Sequence, residues 1–230
     1  MQPIINHFTD NDAYTFSCQY YILQTYPRAE VEYTFFDRNH TMYPEGFAEK
    51  VKEQINLMQN VRITEKEIAF MQHRMYYLPQ WYFTFLRGYK FNPAEVHIEQ
   101  APDGQLAISI RGKWYSTIMW EMPVLSIVSE LMHQHRGDLE RYDADVEYER
   151  AVDKARQILR GGLVLGDMGT RRRLSFVHHD NVIRAMKATA DAGGEQVDGV
   201  FVPWKGRIVG TSNVYLAMKH GLVPMGTMSH

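Results

Sequence analysis

Cysteine is nearly missing from this sequence: Cys18 stands alone among 230 residues. A single thiol excludes an intrachain disulfide and a cysteine-built metal site, and it fits a reducing cytoplasm. An excess of charge of one sign is also missing. Lys and Arg number 25 against 27 Asp and Glu, a net charge of -2. That balance leaves no footprint for bulk nucleic-acid binding, so any anion site must be local. No apolar run is long enough to span a bilayer. The opening Met-Gln-Pro-Ile-Ile-Asn-His-Phe-Thr-Asp lacks the basic and apolar regions of a secretory leader. There is no repeat, low-complexity segment or long linker. His133 and His135 stand two apart, which on a helix aims them to different faces and argues against a metal pair. What is present is the make-up of an ordinary globular protein, 45% hydrophobic and 23% charged. The length suits one or two domains with a substantial core.

The first half reads as mixed helix and antiparallel strand. Asp10 and Asp12 precede an apolar-periodic stretch, so a helix is expected from Ala13 and Tyr14 to about Tyr26-Pro27. Val31 to Asp37 alternates and is rich in β-branched and aromatic residues, which predicts a strand; Arg38 follows it. Phe47, Val51, Ile55 and Met58 share one helical face between Pro44 and Asn60. Thr64 and Glu67 have the spacing of a capping box. The aromatic-rich stretch 79–91 is expected to be core. Val96–Gln100 and Leu106–Ile110 flank Pro102-Asp103-Gly104, a hairpin pattern. An apolar helix is predicted over Met119–His133, with Pro123 tolerated near its start. Glu121 and Glu130 on it are open to a structural or a site-ordering role.

From there the grammar changes to alternating strand and helix, which implies parallel strands in a barrel or doubly wound sheet. A charged amphipathic helix over Asp143–Arg160 ends at Gly161-Gly162. Leu163-Val-Leu165 reads as a short buried strand, Leu174–Ala192 as a helix, Val197–Val202 as the next strand and Ile208-Val209 as another. Gly169-Thr170, Gly210-Thr211 and Gly226-Thr227 each come after an apolar run. That is the pattern of a barrel's C-terminal rim, where the βα loops carry function. Glycine permits close backbone approach and a helix N-terminus offers free N–H groups, so phosphate or carboxylate binding is one reading of these turns; two ordinary strand-to-helix turns is the other. Arg171, Arg172 and Arg173 stand together before a helix, where cations oppose the macrodipole. Their presence favours a local anion.

Gly210-Thr-Ser-Asn213, followed after a short helix by Pro224-Met-Gly-Thr-Met-Ser-His230, resembles the signature of bacterial nicotinate phosphoribosyltransferases. So do Asp10-Asn-Asp-Ala-Tyr14 near the start, Phe35-Phe-Asp-Arg38, the Trp120-Glu-Met-Pro segment running to Ser129-Glu130, and Asp167-Met-Gly-Thr-Arg-Arg-Arg173. The motifs run in order along essentially the whole chain. The resemblance implies an α+β N-terminal domain over residues 1–118, followed over 119–230 by part of an irregular α/β barrel of the type II phosphoribosyltransferase kind.

The activity it implies joins nicotinate to the ribose of phosphoribosyl pyrophosphate (PRPP), coupled to ATP hydrolysis. The product, nicotinate mononucleotide, starts NAD salvage from nicotinate. Mg²⁺ would accompany ATP and PRPP as substrates, with no tightly bound cofactor and no protein metal site. A cytoplasmic homodimer with shared active sites is implied, with no nucleic-acid or membrane partner; Tyr14 and Arg38 can then serve the neighbour's site. By the resemblance, Tyr14 lies over the nicotinate ring and Arg38 contacts an anion. Met168 replaces the phenylalanine that relatives place on the ring's second face; a thioether still packs on a ring, with looser base selection expected. Gly169, Thr170 and Arg171 belong to the substrate loop, with the Arg171 fork facing the nicotinate carboxylate and nearby phosphate. Thr211, Ser212 and Asn213 line the second loop. Nicotinamide-using relatives carry an aspartate at the position of Ser212, so a neutral serine favours the acid over the amide. His230 is the residue that ATP would phosphorylate.

Family members continue beyond the position of His230, so the chain is expected to be the N-terminal half of such an enzyme and to be inactive alone. The alternative is a catalytically incomplete binding or partner-dependent fragment of that family. A quinolinate-type enzyme is a third reading; such enzymes do not use ATP, which counts against it.

Overall fold

A computed structural model describes residues 2–226. Helix α1 (Ala13–Thr25) starts where expected, with extended backbone at Asp12. The Asp12 side chain does not cap its own helix; it is used elsewhere. Strand β1 (Glu30–Thr34) pairs antiparallel with β3 (Leu106–Lys113), which pairs on its other side with β2 (Val96–Gln100). The β2–β3 hairpin sets Ile98 opposite Ile108 and turns through Gly104 at φ 86°. Along β3, Leu106, Ile108 and Ile110 are buried and the residues between them are not, so the period of two gives the sheet one apolar face.

Helices α2 (Phe47–Leu57), α3 (Glu65–Arg74) and α4 (Gln80–Gly88) share one core with this sheet, with α2 against β2. The predicted capping box is present: Glu67 N–H donates to Thr64 Oγ1 at 3.2 Å, and the Glu67 carboxylate accepts from Thr64 N–H at 2.8 Å. The other carboxylate oxygen of Glu67 accepts from the backbone and hydroxyl of Thr9 at 3.0 and 2.6 Å, which pins the segment just before α1. Tyr82, Phe83, Tyr89 and Phe91 are buried as expected, while Trp81 faces solvent. After the short α5 (Trp114–Thr117), helix α6 (Glu121–His135) sends Val124, Ile127, Val128 and Leu131 into this same first core.

The rest of the chain builds a second, smaller core. Asp143 caps α7 (Ala144–Arg160) by accepting from the N–H groups of Asp145 and Val146. Strand β4 (Val164–Asp167), helix α8 (Phe176–Asp191), strands β5 (Gly194–Val197), β6 (Val200–Pro203) and β7 (Arg207–Thr211), and helix α9 (Val214–His220) follow. Strands β4 and β7 pair in parallel, with Asp167 opposite Thr211. Ala155, Ile183, Met186 and Leu216 form the buried centre beneath them, with Leu165 and Ile208 packed against it. Among the described residues, no helix is long and apolar enough to cross a membrane.

Two expectations are corrected. Val197–Val202 is not one strand: β5 and β6 form an antiparallel hairpin turning at Asp198 (φ 49°) and Gly199 (φ 81°). An Asp-Gly pair accepts the two positive φ values of a tight hairpin turn, and this local preference wins over a continuous apolar run. Nor is Leu163-Val-Leu165 fully buried, since Leu163 and Val164 are each 59% exposed. Among the described residues the architecture is therefore mixed α/β, with a three-stranded antiparallel sheet, a parallel β4–β7 pair and the β5–β6 hairpin.

Candidate functional site

The parallel pair ends at a polar rim. Asp167, the last residue of β4, accepts from Thr211 Oγ1 at 2.6 Å, His179 Nε2 at 2.8 Å and Gly169 N–H at 3.2 Å. Burial alone would push this carboxyl up, but its donors, His179 first, hold it below the usual carboxylate range. Gly169 fits because a Cβ there would lie 3.0 Å from the Asp167 carboxylate and 3.2 Å from His179 Nε2. At the end of β7, Gly210 (φ 157°) lets Leu222–Met225 run alongside, since a Cβ would sit 2.1 Å from the Val223 carbonyl oxygen. Thr211 N–H donates to that carbonyl at 3.2 Å, and Met225 N–H donates to the Thr211 carbonyl at 3.0 Å.

The start of the chain closes onto this rim. Ala13 N–H donates to the Ser212 carbonyl and Val214 N–H donates to the Asn11 carbonyl, at 2.8 and 3.0 Å. Ser212 Oγ donates to Asp12 at 2.8 Å. Beneath lies a fully buried ion pair, with Arg173 donating to both oxygens of Asp10 at 2.6 and 2.8 Å. Asn213 Nδ2 donates to the same carboxylate at 2.7 Å, while Asn213 Oδ1 caps α9 through Leu216 N–H at 3.0 Å. Burial would raise the Asp10 pKa; the charge and hydrogen bonds of Arg173 outweigh it and lower it. Arg173 Nε has no hydrogen-bond partner, and Glu130 stands 3.9 Å from it. Burial pushes the Glu130 carboxyl up to about 7, against the opposing pull of Arg173.

A third cluster sits at the edge of the rim, where Glu121 and Arg171 are part-exposed and Tyr14 is buried at 8% exposure. Tyr14, in the first turn of α1, donates from its hydroxyl to Glu121 Oε2 at 2.5 Å. The other Glu121 oxygen lies 3.9 Å from Arg171 Nη1, with both side chains about 30% exposed (30% for Glu121, 29% for Arg171). Burial and then Glu121 raise the Tyr14 phenol well above its ordinary value, so it is a donor at neutral pH. The short 3₁₀ turn Thr170–Arg172 divides the three arginines: Arg173 inward, Arg172 outward, Arg171 along the rim.

The structure thus brings Tyr14 and Arg171 together through Glu121. Met168 is 43% exposed on the same loop. Thr170 is buried; its carbonyl accepts from Ser126 Oγ at 2.9 Å, and its hydroxyl lies 3.4 Å from Asn213 Nδ2. Thr211, Ser212 and Asn213 are buried, and their side chains are bonded to Asp167, Asp12 and Asp10. Arg38 stays exposed on the loop after β1 and makes no ion pair with any described residue. Its neighbour Asp37 braces that loop by accepting from the N–H groups of Asn39 and Thr41 at 2.9 and 3.1 Å. Thr227 and His230 lie outside the described residues.

Sequence reasoning passed over Asp167, His179 and Arg173 as individual site builders. His179 had a signal: with Ile183 and Met186 it falls on the buried face of α8, where a polar group needs a partner. Nothing in the sequence singles out Arg173 among its neighbours.

The carboxyl ends of the parallel strands thus carry a polar, partly cationic rim, closed by a helix start, on a mixed α/β scaffold. Residues 9–129 match the nicotinate phosphoribosyltransferase N-terminal domain, and the chain belongs to that family. It is 34% identical over 228 residues to a nicotinate phosphoribosyltransferase of Chromohalobacter salexigens, covering 99% of this chain and 54% of the relative. One from Desulforapulum autotrophicum is 33% identical over 227 residues, with 99% and 54% covered. The crystal structure of nicotinate phosphoribosyltransferase from Porphyromonas gingivalis superposes with a TM-score of 0.85 at 33% identity, over 99% of this chain and 54% of that one. For the Vibrio cholerae enzyme the TM-score is 0.81 at 27% identity, over 99% and 52%. The chain spans about half the length of the curated relatives it matches.

Proposed function

We propose that this chain supplies the nicotinate-binding part of a nicotinate phosphoribosyltransferase, which transfers the phosphoribosyl group of PRPP to nicotinate with ATP hydrolysis. The observation that carries this reading is the meeting of Tyr14 and Arg171 on one polar rim. A flat aromatic face suits an electron-poor pyridine, and a guanidinium fork suits its carboxylate. Arg171 makes no hydrogen bond to a described residue, so its donors remain for a ligand, and Met168, exposed on the same loop, would pack on the ring. Gly169, Thr170, Thr211, Ser212 and Asn213 act by holding the two loops in shape and by presenting backbone. In this reading Ser212 favours the acid by placing no carboxylate at its own position. Arg38 would reach a phosphate in the neighbouring subunit's site of a homodimer, and His230 would accept the phosphoryl group of ATP.

Magnesium belongs to the reaction as a companion of the PRPP and ATP phosphates. Among the described residues, no group of three His, Cys, Asp or Glu side chains is arranged to hold a metal. Asp10, Asp12 and Asp167 are already bonded to protein donors.

The barrel is part of the same proposal, with β4 and β7 as two of its strands. The division into residues 1–118 and 119–230 is retained with α6 as the shared helix. That helix packs in the first core and reaches the Thr170 and Arg173 carbonyls through Ser126 and Ser129 at 2.9 and 3.0 Å.

Equilibrium dialysis with labelled nicotinate tests the site: the chain should bind it, and Arg171→Gln should weaken binding at least tenfold, about 1.4 kcal/mol or more. Binding that is indifferent to Arg171 would refute the assignment. Turnover with nicotinate, PRPP and Mg²⁺-ATP should be absent for this chain alone; activity at the relatives' level would sink that expectation. The second reading is a partner-dependent binding fragment, favoured by the uncovered apolar side chains of Leu163, Val164 and Phe201 around the small sheets.

A further inference from the structure

We infer that Glu121 is a specificity-determining residue, a built-in counter-ion that stands against Arg171 in the free site and repels an incoming carboxylate. This rests on the assignment of Arg171 to the ligand. The rim contains two arginines in contrasting states. Arg173 is saturated by a bidentate carboxylate at 2.6 and 2.8 Å and is shut away from solvent. Arg171 has Glu121 as its ionic partner at 3.9 Å, and that contact is not a hydrogen bond. The looseness has a visible cause. Tyr14 tethers the far oxygen of Glu121 at 2.5 Å at the start of helix α6, which holds this carboxylate back from the guanidinium.

Arg171 is therefore paired without being consumed. Its charge is partly neutralised, while its planar set of N–H donors stays free for a tighter, bidentate partner. An aromatic monocarboxylate lying over Tyr14 could take that fork, but it would place a second negative charge near Glu121, which cannot retreat while Tyr14 holds it. The cost falls on acids alone, because a neutral pyridine amide brings no charge. Glu121 thus trades acid affinity for a site that does not trap every passing anion. At about 30% exposure the repulsion is heavily screened, so the expected effect is several-fold.

The test is Glu121→Gln, which removes the charge and keeps an oxygen to accept from Tyr14. Equilibrium dialysis of nicotinate and nicotinamide against this chain should show nicotinate binding roughly fivefold tighter in the variant, with nicotinamide unchanged. Equal shifts for acid and amide, or weaker acid binding, would overturn the inference in favour of a purely structural Glu121. A ligand-free arm separates this from the functional reading. Phenylglyoxal modifies accessible guanidinium groups, so losing the counter-ion should speed labelling of Arg171 several-fold, read by peptide mass spectrometry against the exposed Arg172 as internal control. If the unaltered chain fails to bind nicotinate, the functional reading falls, while the labelling still decides whether Glu121 restrains Arg171. No change in labelling overturns the counter-ion role outright.

Discussion

Removing the Arg173 charge should unfold the seam between the start of the chain and the β4–β7 rim. In Arg173→Met, Asp10 loses two hydrogen bonds of 2.6 and 2.8 Å and keeps Asn213 Nδ2 at 2.7 Å as its side-chain donor. The carboxylate is fully buried, so water cannot replace what is lost. Breaking one side of a buried ion pair costs about 3–5 kcal/mol. In a chain of this size each kcal/mol moves the melting temperature by roughly 2–4 °C, so a drop of about 6–20 °C is expected. Asp10→Asn should cost a similar amount or somewhat less, because the buried Arg173 loses its bidentate partner and keeps only Glu130, 3.9 Å away and beyond hydrogen-bond reach. The double variant should cost less than the sum of the singles, since neither buried charge is then stranded. The pH dependence has a definite sign. Asp10's folded pKa lies below its ordinary 3.8, so its contribution is present above pH 3.8 and is lost as pH falls through the lowered value. Circular-dichroism melts of the four proteins decide the matter. A melting temperature for Arg173→Met within about 2 °C of the unaltered chain would refute the claim that this pair closes the seam.

Glu130 gives the opposite pH signature. Its folded carboxyl titrates near 7 against an ordinary 4.5, so the folded state holds a proton that the unfolded state has released. Stability from this group is full below pH 4.5 and declines as pH rises to about 7, by up to about 3 kcal/mol at 1.36 kcal/mol per unit. Urea midpoints of Glu130→Gln should lack that decline; parallel profiles for variant and parent would contradict it. Gly210→Ala forces a Cβ to within 2.1 Å of the Val223 carbonyl at a φ of 157°, so residues 222–225 must detach from β7. A cost of about 1–3 kcal/mol is expected, with faster hydrogen exchange at the Thr211 and Met225 amides; unchanged exchange at both would exclude the detachment.

Local order was legible in the sequence because it depends on neighbours a few residues apart. The Thr64–Glu67 box, the β2–β3 hairpin around Gly104 and the Asp143 cap each follow from spacing within one turn. Even the misread β5–β6 hairpin was locally encoded, in Asp198-Gly199, and the apolar run around it concealed the turn. The motifs also pointed to three stretches that the fold gathers at one rim: the head of α1, the loop after β4 and the turn after β7. What the sequence could not assign was the work of each side chain within those stretches. Arg171 and Arg173 are chemically identical and two residues apart. Only packing puts one on the rim beside Glu121 and the other against Asp10, 163 residues away in the chain. Likewise, Ser212 and Asn213 meet Asp12 and Asp10 across 200 and 203 residues. Such pairings carry no periodicity and no local preference; they exist because burial forces each polar group to find whichever partner the fold brings near.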